Sequence, residues 1–147
     1  MTLPSRCSAF LPLPASLLAL ALGAPAALAE PSNGASILIL DASGSMWGQL
    51  DDGKSKIEVA REVMADFFAQ RDPNEPLGVI AYGHRQRGDC LDIEVVVPPG
   101  IHDAAVLSAH LMKISPRGMT PISESLRIAA HQIPATAERA DIILVTD

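Results

Sequence analysis

Ile37-Leu38-Ile39-Leu40-Asp41-Ala42-Ser43-Gly44-Ser45 is the stretch that decides the fold. An unbroken apolar run that stops at an aspartate fits a strand buried on both faces of a parallel sheet, because a one-sided strand would alternate. The run starts at Ala35. The next segment, Asp41 to Lys54, is rich in Ser, Gly and Asp and reads as a loop. At the other end of the chain, Asp141-Ile142-Ile143-Leu144-Val145-Thr146-Asp147 repeats the pattern, another apolar run ending in aspartate, and is read as a second doubly buried strand.

Between these two strands the elements alternate. Lys56 to Gln70 has helical spacing: Ile57, Ala60, Val63, Met64 and Phe67 form the apolar stripe, with Glu58, Arg61, Glu62 and Asp66 free to face water. Two prolines end it. Leu77 to Tyr82 is an apolar strand, and Gly83 to Cys90 a polar loop. Leu91, Ile93, Val95 and Val97 alternate with Asp92, Glu94 and Val96, the period of a strand with one wet face at a sheet edge, and Pro98-Pro99-Gly100 is expected to end it. Asp103 to Lys113 reads as a helix with Asp103 at its N-cap and Leu107 and Leu111 inward. After the Ser115 to Thr120 loop, Pro121 suits a first helical position, and Ile122, Leu126, Ala129, Ala130 and Ile133 make the stripe of a third helix. Strands alternating with helices indicate an α/β sheet, and ligands of such sheets bind beyond the carboxyl ends of the strands, where Asp41 and Asp147 lie.

Bulk properties narrow the function. The 147 residues suit one domain, 48% are apolar, and the net charge is −6. That acidity disfavours a nucleic-acid backbone or an anionic membrane as the main partner, and 3% aromatic residues leave little for base stacking. Arg6, the apolar stretch Ala9 to Ala29 and the small residues of Ala27-Leu28-Ala29 describe a secretory signal peptide over residues 1–29, with the domain in 30–147. The expected location is periplasmic or secreted, with the membrane involved only through export or a retained signal segment. Cys90 is then an odd cysteine in an exported chain, either paired elsewhere or a free thiol.

Asp41-x-Ser43-x-Ser45 offers a carboxylate and two hydroxyls from one loop, with Gly44 and Gly48 expected to let the backbone bend. Hard oxygen ligands suit Mg²⁺, Mn²⁺ or Ca²⁺. Asp41 and Asp147 without an ion would repel each other. Each residue also has a plainer role: Asp41 in an Asx turn, the serines capping a following helix, Thr120 as the N-cap before Pro121.

Here the sequence resembles the von Willebrand factor A (VWA) domain family and its metal-ion-dependent adhesion site. Gly118-Met119-Thr120-Pro121 matches the threonine loop, and Leu144-Val145-Thr146-Asp147 the aspartate after the fourth strand; Ser45-Met46-Trp47-Gly48 and Tyr82-Gly83-His84-Arg85 look like exported bacterial members. The resemblance runs from about Ser36 to Asp147. It implies a Rossmann-like fold: a mostly parallel sheet with one antiparallel edge strand and helices on both faces. It implies a metal held by Asp41, Ser43, Ser45, Thr120 and Asp147, the serines directly, Thr120 directly in the ligand-competent state, and the aspartates through water or close outer contacts. It also implies a non-enzymatic module, whose protein partner supplies a carboxylate to the ion. Family members continue with another helix and two strands, so the domain is expected to be incomplete at its C-terminus, with the fourth strand an open apolar edge.

Two other functions remain in view. A strand ending in Asp41 superficially resembles phosphoryl-transfer enzymes of the haloacid dehalogenase type, but their second acid falls at Ser43 here. A structural envelope subunit with a vestigial metal site is the third reading. Arg87-Gly88-Asp89, a zinc site of His84 and Cys90 with His102 or His110, and an apolar rim of Met46 and Trp47 are weaker signals.

Overall fold

The computed structural model describes residues 34–147; the signal peptide expected over 1–29 lies outside them. The elements follow the anticipated order: β1 (Gly34–Asp41), a 3₁₀ turn (Gly44–Trp47), α1 (Lys56–Gln70), β2 (Leu77–Tyr82), β3 (Ile93–Gly100), α2 (Ala104–Leu111), α3 (Ile122–Gln132) and β4 (Arg139–Val145). They form one sheet in the order β3-β2-β1-β4. β1 pairs in parallel with β2 and β4, and β3 joins β2 antiparallel at the edge. Helices cover both faces, so the fold is the α/β, Rossmann-like architecture expected.

β1 is central and every residue of it is buried. Its side chains alternate between two cores. Leu38, Leu40 and Ala42 join Leu77, Val79 and Ala81 of β2 under α1 and α2. Ile37 and Ile39 join Ile80 and Tyr82 under Ala129 of α3. This parity reaches the ends of the strands: Asp41 continues the Ile37–Ile39 row toward α3, while Ala42 continues the other.

Several local expectations are corrected. In α1 the buried row is Ile57, Ala60, Met64 and Phe68, while Val63 is 57% exposed. The helix carries more apolar positions than the sheet can cover, and its rotation against α2 and the sheet selects among them. The α3 stripe is likewise rotated: Ser125 and Ala129 are buried, Leu126 is 38% exposed and Ala130 is exposed. Pro121 stands one residue before α3, at its N-cap position. Asp103 occupies the N-cap of α2 but its side chain makes no capping hydrogen bond.

β3 does not stop at Val97; it continues through Pro98 and Pro99 to Gly100. The edge position permits this, because an edge strand need not donate outward from every residue. A bulge breaks its alternation. Val79 pairs with Val97 but Ile80 pairs with Val95, so Val96 is the extra residue. Val96 and Val97 therefore both pack on the α1 side, and Val95 on the α3 side. β4, read as doubly buried from its apolar run but expected as an open edge from the family resemblance, is the opposite edge of the described sheet. Its first four residues are exposed and only Ile143, Leu144 and Val145 are partly covered. Among the described residues no helix is long and apolar enough to cross a membrane.

Candidate functional site

Three loops meet above the carboxyl ends of β1, β2 and β4. The first leaves β1 at Asp41, which is fully buried. Its Oδ1 accepts from the Ser43 amide at 2.7 Å, forming the Asx turn anticipated as the plainer role, and its Oδ2 accepts from the Thr146 hydroxyl at 2.7 Å. The segment expected to be irregular then winds into the 3₁₀ turn, closed by Met46 N–H to the Ser43 carbonyl at 3.1 Å and Gly48 N–H to the Ser45 carbonyl at 2.8 Å. Gly44 has no left-handed backbone angle, so the turn rather than glycine freedom bends the loop here. Ser43 does not cap the turn with its side chain.

The turn places the two serine hydroxyls 3.0 Å apart. Ser45 Oγ donates to Asp147 Oδ1 at 3.2 Å, so Ser43 is the donor to Ser45. Asp147 leaves β4 on the side opposite Thr146, and there its Oδ2 meets the Lys56 ammonium at 2.6 Å. The Lys56 hydrogen bond, with that of Ser45 and the Lys56 charge, outweighs partial desolvation and holds the Asp147 carboxyl below the ordinary carboxylate value. Asp41 and Asp147 have separate partners: Thr146 and the Ser43 amide for one, Lys56 and Ser45 for the other.

The threonine loop is fastened to the first by main-chain bonds. Gly44 N–H donates to the Gly118 carbonyl at 3.1 Å, Arg117 N–H to the Ala42 and Gly83 carbonyls at 3.1 and 2.9 Å, and Gly118 N–H to the Gly83 carbonyl at 2.7 Å. Gly83 is obligatory at this crossing. Its φ is +69°, and a Cβ there would stand 2.5 Å from the Met119 carbonyl oxygen. Thr120 follows two residues after Gly118 and is exposed. The structure links Asp41 and Thr146 by one hydrogen bond and Ser43, Ser45, Asp147 and Lys56 by another chain of bonds. Among the described residues, Thr120 shares the loop cluster without a side-chain bond to the others.

The third loop, Gly83 to Asp92, is built on a carboxylate that the alternation had placed on the wet face. Asp92 is buried, its side chain 1% exposed. Its Oδ2 accepts from the Arg85 and Gln86 amides at 2.7 and 2.9 Å, and its Oδ1 from Arg85 Nε at 2.7 Å. Burial pushes this carboxyl up, but the Gln86 amide and the Arg85 guanidinium and amide outweigh it and leave the group below its ordinary value. His84 Nε2 lies 2.9 Å from Glu94 Oε2 and His102 Nε2 2.9 Å from the Pro98 carbonyl, so these histidines have separate neighbours. Cys90 is exposed and forms no disulfide among the described residues.

Sequence reasoning missed Lys56, Thr146 and Asp92. Parity along β4 could have flagged Thr146, since it continues the Leu144 row toward Asp41; nothing local marks Lys56 or Asp92. Met46 and Trp47, left open between rim and packing, divide the roles. Met46 is 2% exposed in the core, and Trp47 is 53% exposed with its Nε1 donating to the Pro116 carbonyl at 2.8 Å.

The von Willebrand factor type A domain model matches residues 36 to 147, most of the chain. The chain belongs to the von Willebrand factor type A domain family. Similar solved structures include the vWF domain of the type V pili tip protein Mfa5 from Porphyromonas gingivalis, with a TM-score of 0.64 and 18% identity, covering 81% of this chain and 39% of that one. The PilB minor pilin from Streptococcus sanguinis gives a TM-score of 0.60 at 18% identity, covering 82% of this VWA chain and 31% of the pilin. A structure of three N-terminal domains of Mfa5 gives 0.54 at 19% identity, covering 74% and 19%. At such identities the likeness is one of fold, and this chain spans 39% or less of each of those proteins. No curated protein sequence matches it.

Proposed function

We propose that this VWA domain is an exported, non-enzymatic binding module that holds a divalent ion, Mg²⁺ or else Mn²⁺ or Ca²⁺, and uses it to bind a carboxylate of a protein partner. The carrying observation is the chain Ser43 Oγ, Ser45 Oγ, Asp147 Oδ1, with successive separations of 3.0 and 3.2 Å, at the carboxyl edge of the sheet. These are hard oxygen donors with two neutral hydroxyls among them, a set that suits a small cation and leaves it charge to offer an outside acid. Ser43 and Ser45 would hold the ion, with Thr120 from the adjoining loop, while Asp41 and Asp147 would orient its bound water. Tyr82 is buried on the Asp41 side of the sheet, and burial first, then the neighbouring Asp41 carboxylate, push its hydroxyl pKa well above the ordinary value.

Asp41 is fully buried and offers no open face to a phosphate ester, and the position where such an enzyme carries its second acid is Ser43. Both favour the binding module over the phosphoryl-transfer enzyme. The pilus proteins of similar fold, together with the signal-peptide pattern of residues 1–29, support action outside the cytoplasm. Titration calorimetry with Mg²⁺ and Mn²⁺ tests the metal: the parent should bind, and Ser45→Ala and Thr120→Ala should bind more weakly while melting as the parent does. If the parent takes up neither ion, the adhesion-site reading is wrong and only the fold survives. Hydrolysis of a generic phosphomonoester that is lost in Asp41→Asn would favour the enzyme.

A further inference from the structure

We propose that the rim of this site selects an acidic protein segment in which the carboxylate that reaches the ion is accompanied by an apolar side chain and a second acid. The inference rests on the metal-binding reading above and names the partner's chemistry. The apolar surface is offered by Trp47 on the first loop and Met119 on the threonine loop. Trp47 is 53% exposed although its indole N–H is fastened to the Pro116 carbonyl at 2.8 Å. A large aromatic surface held in place before binding loses little conformational entropy on contact, which is how aromatic anchors dominate interfaces. Met119, 45% exposed, sits in the same loop beside Thr120 and offers a flexible apolar neighbour.

The charge comes from Arg117 and Arg87. Arg117 has its amide locked by two carbonyls, and its side chain is exposed. Arg87 lies on the loop whose Gln86 carbonyl presses against Gly118. Neither guanidinium has an ion-pair or hydrogen-bond partner among the described residues, whereas that of Arg85 is occupied by Asp92 and Glu94. Two exposed, unpartnered arginines on the loops that frame the site are complementary to an acidic segment.

The test pans a displayed random-peptide library on the immobilised full chain, in Mg²⁺ and in chelator, with Mg²⁺ uptake measured separately by calorimetry. Peptides recovered only with Mg²⁺ should carry an acid, an adjacent apolar residue and a second acid. The double variant Arg87→Gln/Arg117→Gln should bind Mg²⁺ as the parent does, bind a selected peptide roughly tenfold or more weakly, and select peptides without the second acid. Trp47→Ala should lose the apolar preference; because it also loses its bond to Pro116, its melting temperature is checked beside it. Mg²⁺ uptake with no such motif recovered, or a double variant that binds the selected peptide as tightly as the parent, overturns the rim. Absence of Mg²⁺ uptake by the parent instead removes the metal reading beneath it.

Discussion

The Thr146 hydroxyl donates to Asp41 Oδ2 at 2.7 Å, tying the tip of β4 to the tip of β1 across 105 residues of sequence. It fills the second acceptor of a fully buried carboxylate whose first is taken by the Ser43 amide. Thr146→Val keeps the shape and deletes the donor. The buried Asp41 oxygen would then lose its partner, at a cost of about 1–3 kcal/mol. Urea unfolding of parent, Thr146→Val and Thr146→Ser should show that loss in the valine variant and recovery in the serine. Equal midpoints for all three would mean that the bond contributes nothing.

On the metal-binding proposal, Lys56 would compete with the cation for Asp147. Its ammonium lies 2.6 Å from Asp147 Oδ2, where it neutralises the carboxylate that Ser45 also contacts. Lys56→Met should therefore tighten Mg²⁺ binding, since the ion no longer has to displace a tethered charge. Trp47, the only tryptophan in the chain, stands at the site's edge and gives a fluorescence signal for the titration. Weaker Mg²⁺ binding in Lys56→Met would show instead that the lysine supports the site.

Asp92 should make the Gly83 to Asp92 loop sensitive to acid. Its carboxyl titrates below its ordinary value in the fold, so the ionised form stabilises the protein throughout the range above about pH 4. That contribution fades as the pH falls further, through the folded-state pKa. Asp92→Asn loses an acceptor for the Arg85 and Gln86 amides and should cost about 1–3 kcal/mol at neutral pH. Melting curves across pH should show the gap between parent and variant closing below about pH 4. A constant gap would place the variant's defect in packing rather than charge.

Leu126 and Leu107 separate helix faces. Leu107 is fully buried between α2 and the sheet, and Leu107→Ala should cost about 2–5 kcal/mol. Leu126 is 38% exposed, and Leu126→Ala should cost about 1 kcal/mol or less. Chemical denaturation of the two variants checks the rotation of α3; similar losses would return Leu126 to the core.

The sequence by itself determined the kinds and order of the elements. The short apolar runs of β1 and β2, bounded by turn residues, and the helical spacing of Lys56 to Gln70 are local properties, and run length, flanking residues and periodicity together distinguish strand from helix. It also put Asp41 and Asp147 at strand ends, which in a parallel sheet is the ligand edge. Tertiary structure decided everything that depends on a distant partner. Whether Val63 or Phe68 enters the core follows from how α1 is turned against α2. That the start of β4 is exposed follows from its place beside β1 at the sheet's edge. Asp92 escapes the alternation that had put it in water because the chain there is still loop, folded around its carboxylate, and β3 begins only at Ile93. Lys56 and Thr146 meet Asp147 and Asp41 only because β1 and β4 pair in register, a contact between residues some hundred positions apart that no local pattern encodes.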